Sequence, residues 1–202
     1  MAPRRYNLGR RAAAAAETRQ RVIEAAIAVY RDQGLGAATI KAVAERADVS
    51  RGTVLHHFDG GEGLLAAVLD HALASLDLPD ARVLDGVADP AERGRQFVAA
   101  MFRFYDRTSD WWRVFAGERN ELPANPALAA ATSRYEAAIG QFLAAALGPL
   151  AADRITAVTV GTLIAPTTYY PLLGAGLSVD ETIAVVGDLV AGLITGRAAG
   201  HR

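Results

Sequence analysis

The chain has 202 residues, of which 51% are hydrophobic and 21% are charged, and it contains no cysteine. This length and apolar content are enough for a hydrophobic core in one large domain or two small ones. The lack of cysteine excludes disulfides, thiolate nucleophiles and zinc sites built on cysteine.

Charge is distributed unevenly along the chain, although the formal net charge is only −1. Residues 1–60 hold ten Lys or Arg against six Asp or Glu, whereas residues 61–202 hold eleven against sixteen. A basic first third favours a polyanionic partner at that end, because phosphate attraction acts over about 10 Å at ordinary salt. No apolar run reaches the roughly 20 residues that cross a bilayer, and no secretory signal is evident. We therefore expect a cytoplasmic protein with no membrane partner.

Residues 1–16 form a basic segment that is too polar and too glycine-interrupted to fold alone. Its arginines are Arg4, Arg5, Arg10 and Arg11. We expect a flexible arm here, because such segments can follow phosphates or enter a minor groove of DNA. The alternative is a disordered tail with no specific role.

Residues 17–63 predict one long helix followed by two short ones. Apolar residues recur at spacings of three and four as far as Gln33, and Gly34 is a natural stop. Thr39 and Ser50 stand at the N-cap positions of the two short helices, which a tight turn separates. This order is typical of a helix-turn-helix.

The second short helix has one inward face, formed by Val54 and Phe58. The other side chains then point outward, where a major groove would lie. These outward residues are Arg51, Gly52, Thr53, Leu55 and His56.

The stretch from Thr18 to Leu73 resembles the DNA-binding domain of the tetracycline-repressor (TetR) family of bacterial transcription regulators. Its most specific parts are QGLGAATIKAVA and VSRGTVLHHF. The resemblance implies an all-α chain with a three-helix DNA-binding domain and a larger helical domain for ligand binding and dimerisation. It implies double-stranded operator DNA, a small-molecule effector and a second copy of the chain as partners. We expect neither enzymatic activity nor a cofactor.

DNA contacts are predicted on the two short helices. The predicted residues are Thr39, Lys41, Arg51, Gly52, Thr53, His56 and His57. A metal site at the two histidines is disfavoured, because adjacent helical positions diverge by about 100° and no third ligand is nearby. Catalysis there would need a nucleophile with an orienting carboxylate, and only Asp59 is close in sequence.

Four positions depart from the family pattern. Leu55 stands where a tyrosine is common, Gly61 where a lysine is common, and Gly60 where a Ser or Asn caps the next helix. Asp48 replaces a turn glycine, a mild change because Asp tolerates the left-handed conformation. We expect weaker or differently anchored DNA binding. The alternative is a small-molecule-binding or protein-interaction module of the same fold with weak or lost operator binding.

Residues 64–202 predict the ligand-binding and dimerisation domain, joined through a connecting helix at 64–76. The loop at 77–90 is rich in Pro, Gly and Asp and predicts a domain boundary. Further helices are predicted at about 90–107, 109–121, 125–147, 153–173 and 179–199.

Aromatic residues are concentrated between positions 97 and 121, in larger number than simple packing of a helix pair needs. Pro166 and Pro171 should bend their helix beside several polar side chains. We expect a cavity for an apolar or aromatic effector, with core packing as the alternative. The predicted ligand-binding residues are Phe102, Tyr105, Trp111, Trp112, Phe115, Thr168 and Tyr169.

The last two predicted helices are nearly uncharged and rich in small residues. A helix that is apolar on most sides must be buried on most sides. We predict a homodimer through these two helices, and a buried hairpin within one chain is the alternative.

Overall fold

The computed structural model of the chain describes residues 4–34, 38–111 and 126–200. Every regular element in these ranges is helical, which confirms the all-α prediction. The helices are α1 Arg4–Gln33, α2 Ile40–Arg46, α3 Arg51–Phe58, α4 Gly60–Ser75, α5 Pro90–Arg107, α6 Pro126–Leu147, α7 Arg154–Leu163, α8 Pro166–Gly174 and α9 Val179–Gly200. Of the helix predicted at 109–121, only residues 109–111 are described, and they are helical.

The chain divides into two compact units. One comprises Met1–Leu76 with Asp110–Ser133, and the other comprises Asp77–Ser109 with Arg134–Arg202. The division after Leu76 falls at the start of the loop predicted as a boundary. The connecting helix at 64–76, which we assigned to the ligand-binding domain, lies instead in the first unit.

The core of the first unit is built by the inward faces of α1, α2, α3 and α4. Apolar residues on these faces recur at helical spacing, so each helix contributes one stripe to a shared interior. The most deeply buried members, each at most 2% exposed, are Val22, Ile23, Ala26, Val29, Val43, Ala44, Val54, Leu64 and Val68. Leu64 and Val68 are α4 residues, and their burial here is the reason that α4 belongs to this unit.

Helix α1 is longer than the sequence analysis predicts. It begins at Arg4 rather than near Glu17, so residues 4–16 are helical and the prediction of a flexible arm is wrong for them. The run Ala12–Ala16 explains this difference, because alanine has the highest helix propensity and arginine is also a good helix former. Residues 9–17 are exposed, so propensity rather than packing accounts for this part of the helix.

The single helix predicted over residues 153–173 is two helices in the structure. Helix α7 ends at Leu163, and α8 begins at Pro166. A proline disfavours the helical conformation of the residue before it, and Ala165 is extended with φ −68° and ψ 153°. Pro171 lies inside α8 without ending it.

In the second unit α5 and α9 pack together along their lengths. A Cβ on Gly94 would lie 2.7 Å from Cδ1 of Ile194 and 3.1 Å from Cγ1 of Val190, so glycine permits this close approach. Beside it the Arg95 guanidinium donates to the Asp188 carboxylate at 2.9 Å. Phe97 and Phe142 join α5 to α6 with ring centroids 4.6 Å apart.

Helix α9 corrects the expectation that no segment could cross a bilayer. Val179–Ala199 is long and apolar enough to do so by length and composition alone. This stretch also carries Asp188 and Arg197, and its face at Val190 and Ile194 is buried in the second unit. A single helix of this kind does not indicate a membrane protein.

Candidate nucleic-acid interface and aromatic cluster

Thr39 caps the start of α2, while the Ser50 cap and the left-handed Asp48 form the turn between α2 and α3. The Thr39 hydroxyl accepts the Ala42 N–H at 3.1 Å, and the Ser50 hydroxyl accepts the Thr53 N–H at 3.0 Å. Asp48 has φ 53°, the left-handed conformation expected for this position. These local interactions fix where α3 starts and in which direction it runs.

Helix α3 presents a polar outer surface over an apolar inner one. Val54 is fully buried and Phe58 is 4% exposed, as their spacing predicts. We define the α3 outward face as the four exposed residues on the opposite side of this helix. They are Arg51, Gly52, Leu55 and His56. This face combines a guanidinium, an imidazole and an aliphatic side chain around a glycine.

Two other predicted DNA-binding residues on α3 are partly engaged within the protein. Thr53 is half-buried, and its hydroxyl lies 2.8 Å from the Ser50 hydroxyl. The half-buried His57 ring lies between the rings of His56 and Phe58, at centroid distances of 5.6 and 6.2 Å. Thr53 and His57 are therefore less accessible to a partner molecule than the four residues of the α3 outward face.

The predicted contacts on α2 are exposed. Thr39 serves as the N-cap, and Lys41 pairs with Glu45 one turn later, its Nζ lying 3.8 Å from the carboxylate. Such an exposed pair contributes little to stability, so the lysine can exchange partners at small cost. Within the described residues no group of three His, Cys, Asp or Glu side chains could hold a metal ion.

The glycines that follow α3, which are Gly60, Gly61 and Gly63, lie at a tight junction between α3 and α4. Asp59 and Gly60 both have positive φ, 51° and 97°, which turns the chain from α3 into α4. A Cβ on Gly63 would lie 1.6 Å from the Phe58 carbonyl oxygen. This structural role of Gly63 was not predicted from the sequence. From α1 the Arg19 guanidinium covers the Phe58 ring, 4.9 Å from its centroid.

Three of the predicted ligand-binding residues come together in the second unit. Phe102, Tyr105 and Tyr169 are each at most 1% exposed, and the Tyr169 ring centroid lies 4.9 Å from that of Phe102 and 5.7 Å from that of Tyr105. With Tyr135 and Tyr170 they form what we call the aromatic cluster. The Tyr135 hydroxyl donates to the Tyr105 hydroxyl at 3.5 Å, and the Tyr170 hydroxyl donates to the Tyr105 carbonyl at 3.2 Å.

Tyr135 was not among the predicted residues, although a sequence signal for it exists. It follows Leu128 by seven residues and precedes Phe142 by seven, and both of these are buried. Residues seven apart share a helix face, so Tyr135 belongs to the inward stripe of α6.

Burial changes the chemistry of the phenols in the aromatic cluster. Burial, with the negative charge of Asp106 as a smaller cause, raises the pKa of Tyr169 to about 12. Burial also raises the pKa of Tyr105 far above its ordinary value, with Tyr135 as the next cause. The Tyr169 hydroxyl is buried and forms no hydrogen bond of normal geometry among the described residues, although Asp106 is close enough to raise its pKa. A buried hydroxyl that lacks a well-formed hydrogen bond is costly, so this one is suited to a hydrogen bond with a bound molecule.

The other predicted ligand-binding residues are not part of the aromatic cluster as described. Trp111 belongs to the first unit, where it packs against that core and the Arg31 guanidinium lies 5.4 Å from its ring centroid. The Thr168 hydroxyl donates to the Thr162 carbonyl at 2.8 Å. Trp112 and Phe115 lie outside the described residues.

Helices α7 and α9 expose large apolar side chains. Among the described residues six large hydrophobic side chains are exposed, and four of them lie on these two helices. The four are Ile155, Val158, Val185 and Leu189. Their spacings of three and four residues place each pair on one face of its helix.

Comparison with known proteins relates the first unit to bacterial regulators. The family model described as bacterial regulatory proteins, tetR family, matches residues 22–68. Residues 22–68 are therefore similar to the helix-turn-helix domain of that family. The matched range runs from α1 through the α3 outward face and into α4.

Curated relatives resemble the chain mainly in this helix-turn-helix domain. The HTH-type transcriptional regulator SrpR of Pseudomonas putida is 46% identical over 67 residues, which are 33% of this chain and 32% of SrpR. The chain spans about a third to a half of the length of the curated relatives that it matches. These relatives are transcription regulators, not enzymes.

Solved structures extend the likeness to the fold of both units. A transcriptional regulator from Pseudomonas aeruginosa PAO1 matches with a TM-score of 0.67 at 21% identity, covering 91% of this chain and 93% of that one. FadR from Bacillus subtilis, solved in complex with stearoyl-CoA, matches with a TM-score of 0.61 at 14% identity, covering 88% and 98%. At these identities the likeness shows the fold alone, an all-helical architecture shared over most of the chain.

Proposed function

We propose that this chain is a dimeric, ligand-responsive transcription regulator, a repressor that a small apolar or aromatic effector releases from a palindromic operator. The observation that carries the proposal is the α3 outward face, which offers Arg51 and His56 on a capped helix. A guanidinium is the commonest side chain to read guanine in the major groove, and a helix N-terminus favours phosphate. Such a protein would act in the cytoplasm, where it meets DNA.

The remaining proposed DNA contacts come from the start of α2 and from the edge of the α3 outward face. Lys41 and Thr39 would contact phosphates beside the groove, while Thr53 and His57 would contact the DNA at the edge of the α3 outward face. Gly52 would let the helix backbone approach the duplex closely, because glycine has no side chain. The space at this position is open, since a Cβ there would meet only the Ser50 hydroxyl oxygen, at 3.6 Å.

Dimerisation would place two copies of α3 on successive major grooves, about 34 Å apart. The apolar side chains exposed on α7 and α9 support this part of the proposal. An aliphatic face of this kind is suited to a second copy of the same face, because a two-fold axis brings identical surfaces together.

The aromatic cluster would bind the effector. Its buried rings favour an apolar or aromatic molecule, and the Tyr169 hydroxyl would form a hydrogen bond with a polar group on it. FadR, which has a similar fold, was solved with stearoyl-CoA, a ligand with a long apolar chain. Effector binding would act through α4 and change the separation of the two copies of α3, so that both no longer fit one operator.

The proposal is tested by selecting duplexes from a random library with the full-length chain and titrating the selected duplex at several salt concentrations. We expect a palindromic sequence that is bound at least about 10³-fold more tightly than random duplex. Because Arg51 would contact a base, Arg51→Gln should weaken binding to the selected duplex by about 5- to 150-fold.

Arg82→Gln is the matched control, because Arg82 is an exposed arginine of the second unit that pairs with Asp80. Its binding should equal that of the unaltered chain. A steep salt dependence without any preference over random duplex would contradict the proposal. That result would favour a module of the same fold that has lost operator binding.

A further inference from the structure

Leu55 is the chemically unusual member of the α3 outward face. It is 46% exposed, although the side chains next to it on this face are polar or absent. Arg51 lies one turn before it, and Gly52 lies three residues before it. A leucine can neither donate nor accept a hydrogen bond, so phosphate contact cannot explain an aliphatic side chain at the centre of this surface.

The position of Gly52 leaves the leucine uncovered. Helical side chains lean toward the helix N-terminus, which directs Leu55 over the turn that contains Gly52. A Cβ on Gly52 would meet nothing but the Ser50 hydroxyl oxygen within 4 Å, so the space beside Leu55 is open. The resulting surface is a small aliphatic patch beside a guanidinium.

We propose that Leu55 recognises the 5-methyl group of thymine in each operator half-site, and this inference rests on the proposed function. Thymine is the base that presents an apolar group in the major groove, where a hydrophobic side chain can bury it. The neighbouring Arg51 would contact a guanine close to that thymine. The leucine thus changes the sequence preference of α3 instead of merely weakening its binding.

The experiment uses the full-length chain and the selected duplex, with single thymines replaced by deoxyuridine. This replacement removes only the methyl group and keeps the base pair and its hydrogen-bonding groups. Burying one methyl group predicts about a fourfold loss of affinity for each half-site that contains uracil at the contacted position. Leu55→Ala, which keeps a good helix former, should bind the thymine and uracil duplexes equally.

Val83→Ala is the control variant, since Val83 is similarly exposed but lies in the second unit. It should keep the full preference for thymine. Equal binding of thymine and uracil duplexes by the unaltered chain at every position would overturn the inference while the operator selection still stands. A preference that survives Leu55→Ala would also overturn it, because a side chain other than Leu55 would then contact the methyl group. Failure to select any sequence would overturn both this inference and the proposed function.

Discussion

At the first turn of α4, Gly63 lies against the carbonyl oxygen of Phe58, the last residue of α3. Replacement by alanine would place a Cβ 1.6 Å from that oxygen, so the end of α3 or the start of α4 must move. We expect Gly63→Ala to lower the free energy of unfolding by about 3 kcal/mol, the upper range for overpacking. Urea denaturation of the full-length chain measures this change.

Gly61→Ala provides the matched control two residues earlier in the same helix. A Cβ on Gly61 meets nothing within 4 Å, and Gly61 is not among the residues with positive φ. Alanine there should leave stability unchanged or raise it by up to about 1 kcal/mol, because alanine is the better helix former. Equal denaturation midpoints for the two variants would show that the close approach at Gly63 does not constrain the junction.

The residues that flank α2 and α3 show which single-residue features could be predicted from the sequence. The caps at Thr39 and Ser50 and the left-handed Asp48 depend on local backbone chemistry, and all three were predicted correctly. The role of Gly63 was not predicted, because it depends on how closely two consecutive helices approach in space. A run of glycines in a sequence does not indicate which glycine lies in close contact with another part of the backbone.

At the scale of the element, helix α1 carries the basic residues of the N-terminus on its helical extension, residues 4–16. Arg10 and Arg11 are exposed on its helical extension, which precedes the residues that pack into the core. If this extension lies along phosphates, each contact contributes about 0.9 to the slope of log affinity against log salt. We expect the double change Arg10→Gln and Arg11→Gln to reduce that slope by one to two per protomer, as measured by titrating the selected duplex.

The sequence preference of this double variant should stay the same, since phosphate contacts carry no base information. The helix should also persist, because glutamine is a good helix former, and circular dichroism checks this point. An unchanged salt slope would indicate that the extension of α1 does not touch DNA.

Helix boundaries were predicted well where a proline or glycine marks the end of a helix. They were predicted poorly where the terminal part of a helix is exposed and does not pack against the protein. The start of α5 at Pro90 and the end of α1 at Gln33 agree with the predictions from the sequence. The start of α1 was wrong because hydrophobic periodicity detects only the part of a helix that packs. The break between α7 and α8 was underestimated as a bend, although Pro166 had been identified as its cause.

At the scale of the whole chain, the sequence predicted two domains but not all of their membership. The loop after Leu76 was recognisable from its composition, whereas the assignment of Trp111 and Leu128 to the first unit was not. Leu128 packs with Leu69 of α4, a contact between residues far apart in sequence. For the same reason the aromatic residues at 97–121 looked like one group, although Phe102 and Trp111 belong to different units.

The apolar side chains exposed on α7 and α9 predict an oligomeric state for the chain. Because a buried carboxylate without a partner costs several kcal/mol, Val158→Glu combined with Leu189→Glu should dissociate the dimer. Light scattering after size exclusion should give twice the chain mass for the unaltered protein and one chain mass for the variant. Val83→Glu, at a comparably exposed aliphatic position outside α7 and α9, should stay dimeric. A monomeric unaltered chain would exclude the dimer. A double variant that remains dimeric would show that the dimer interface lies elsewhere.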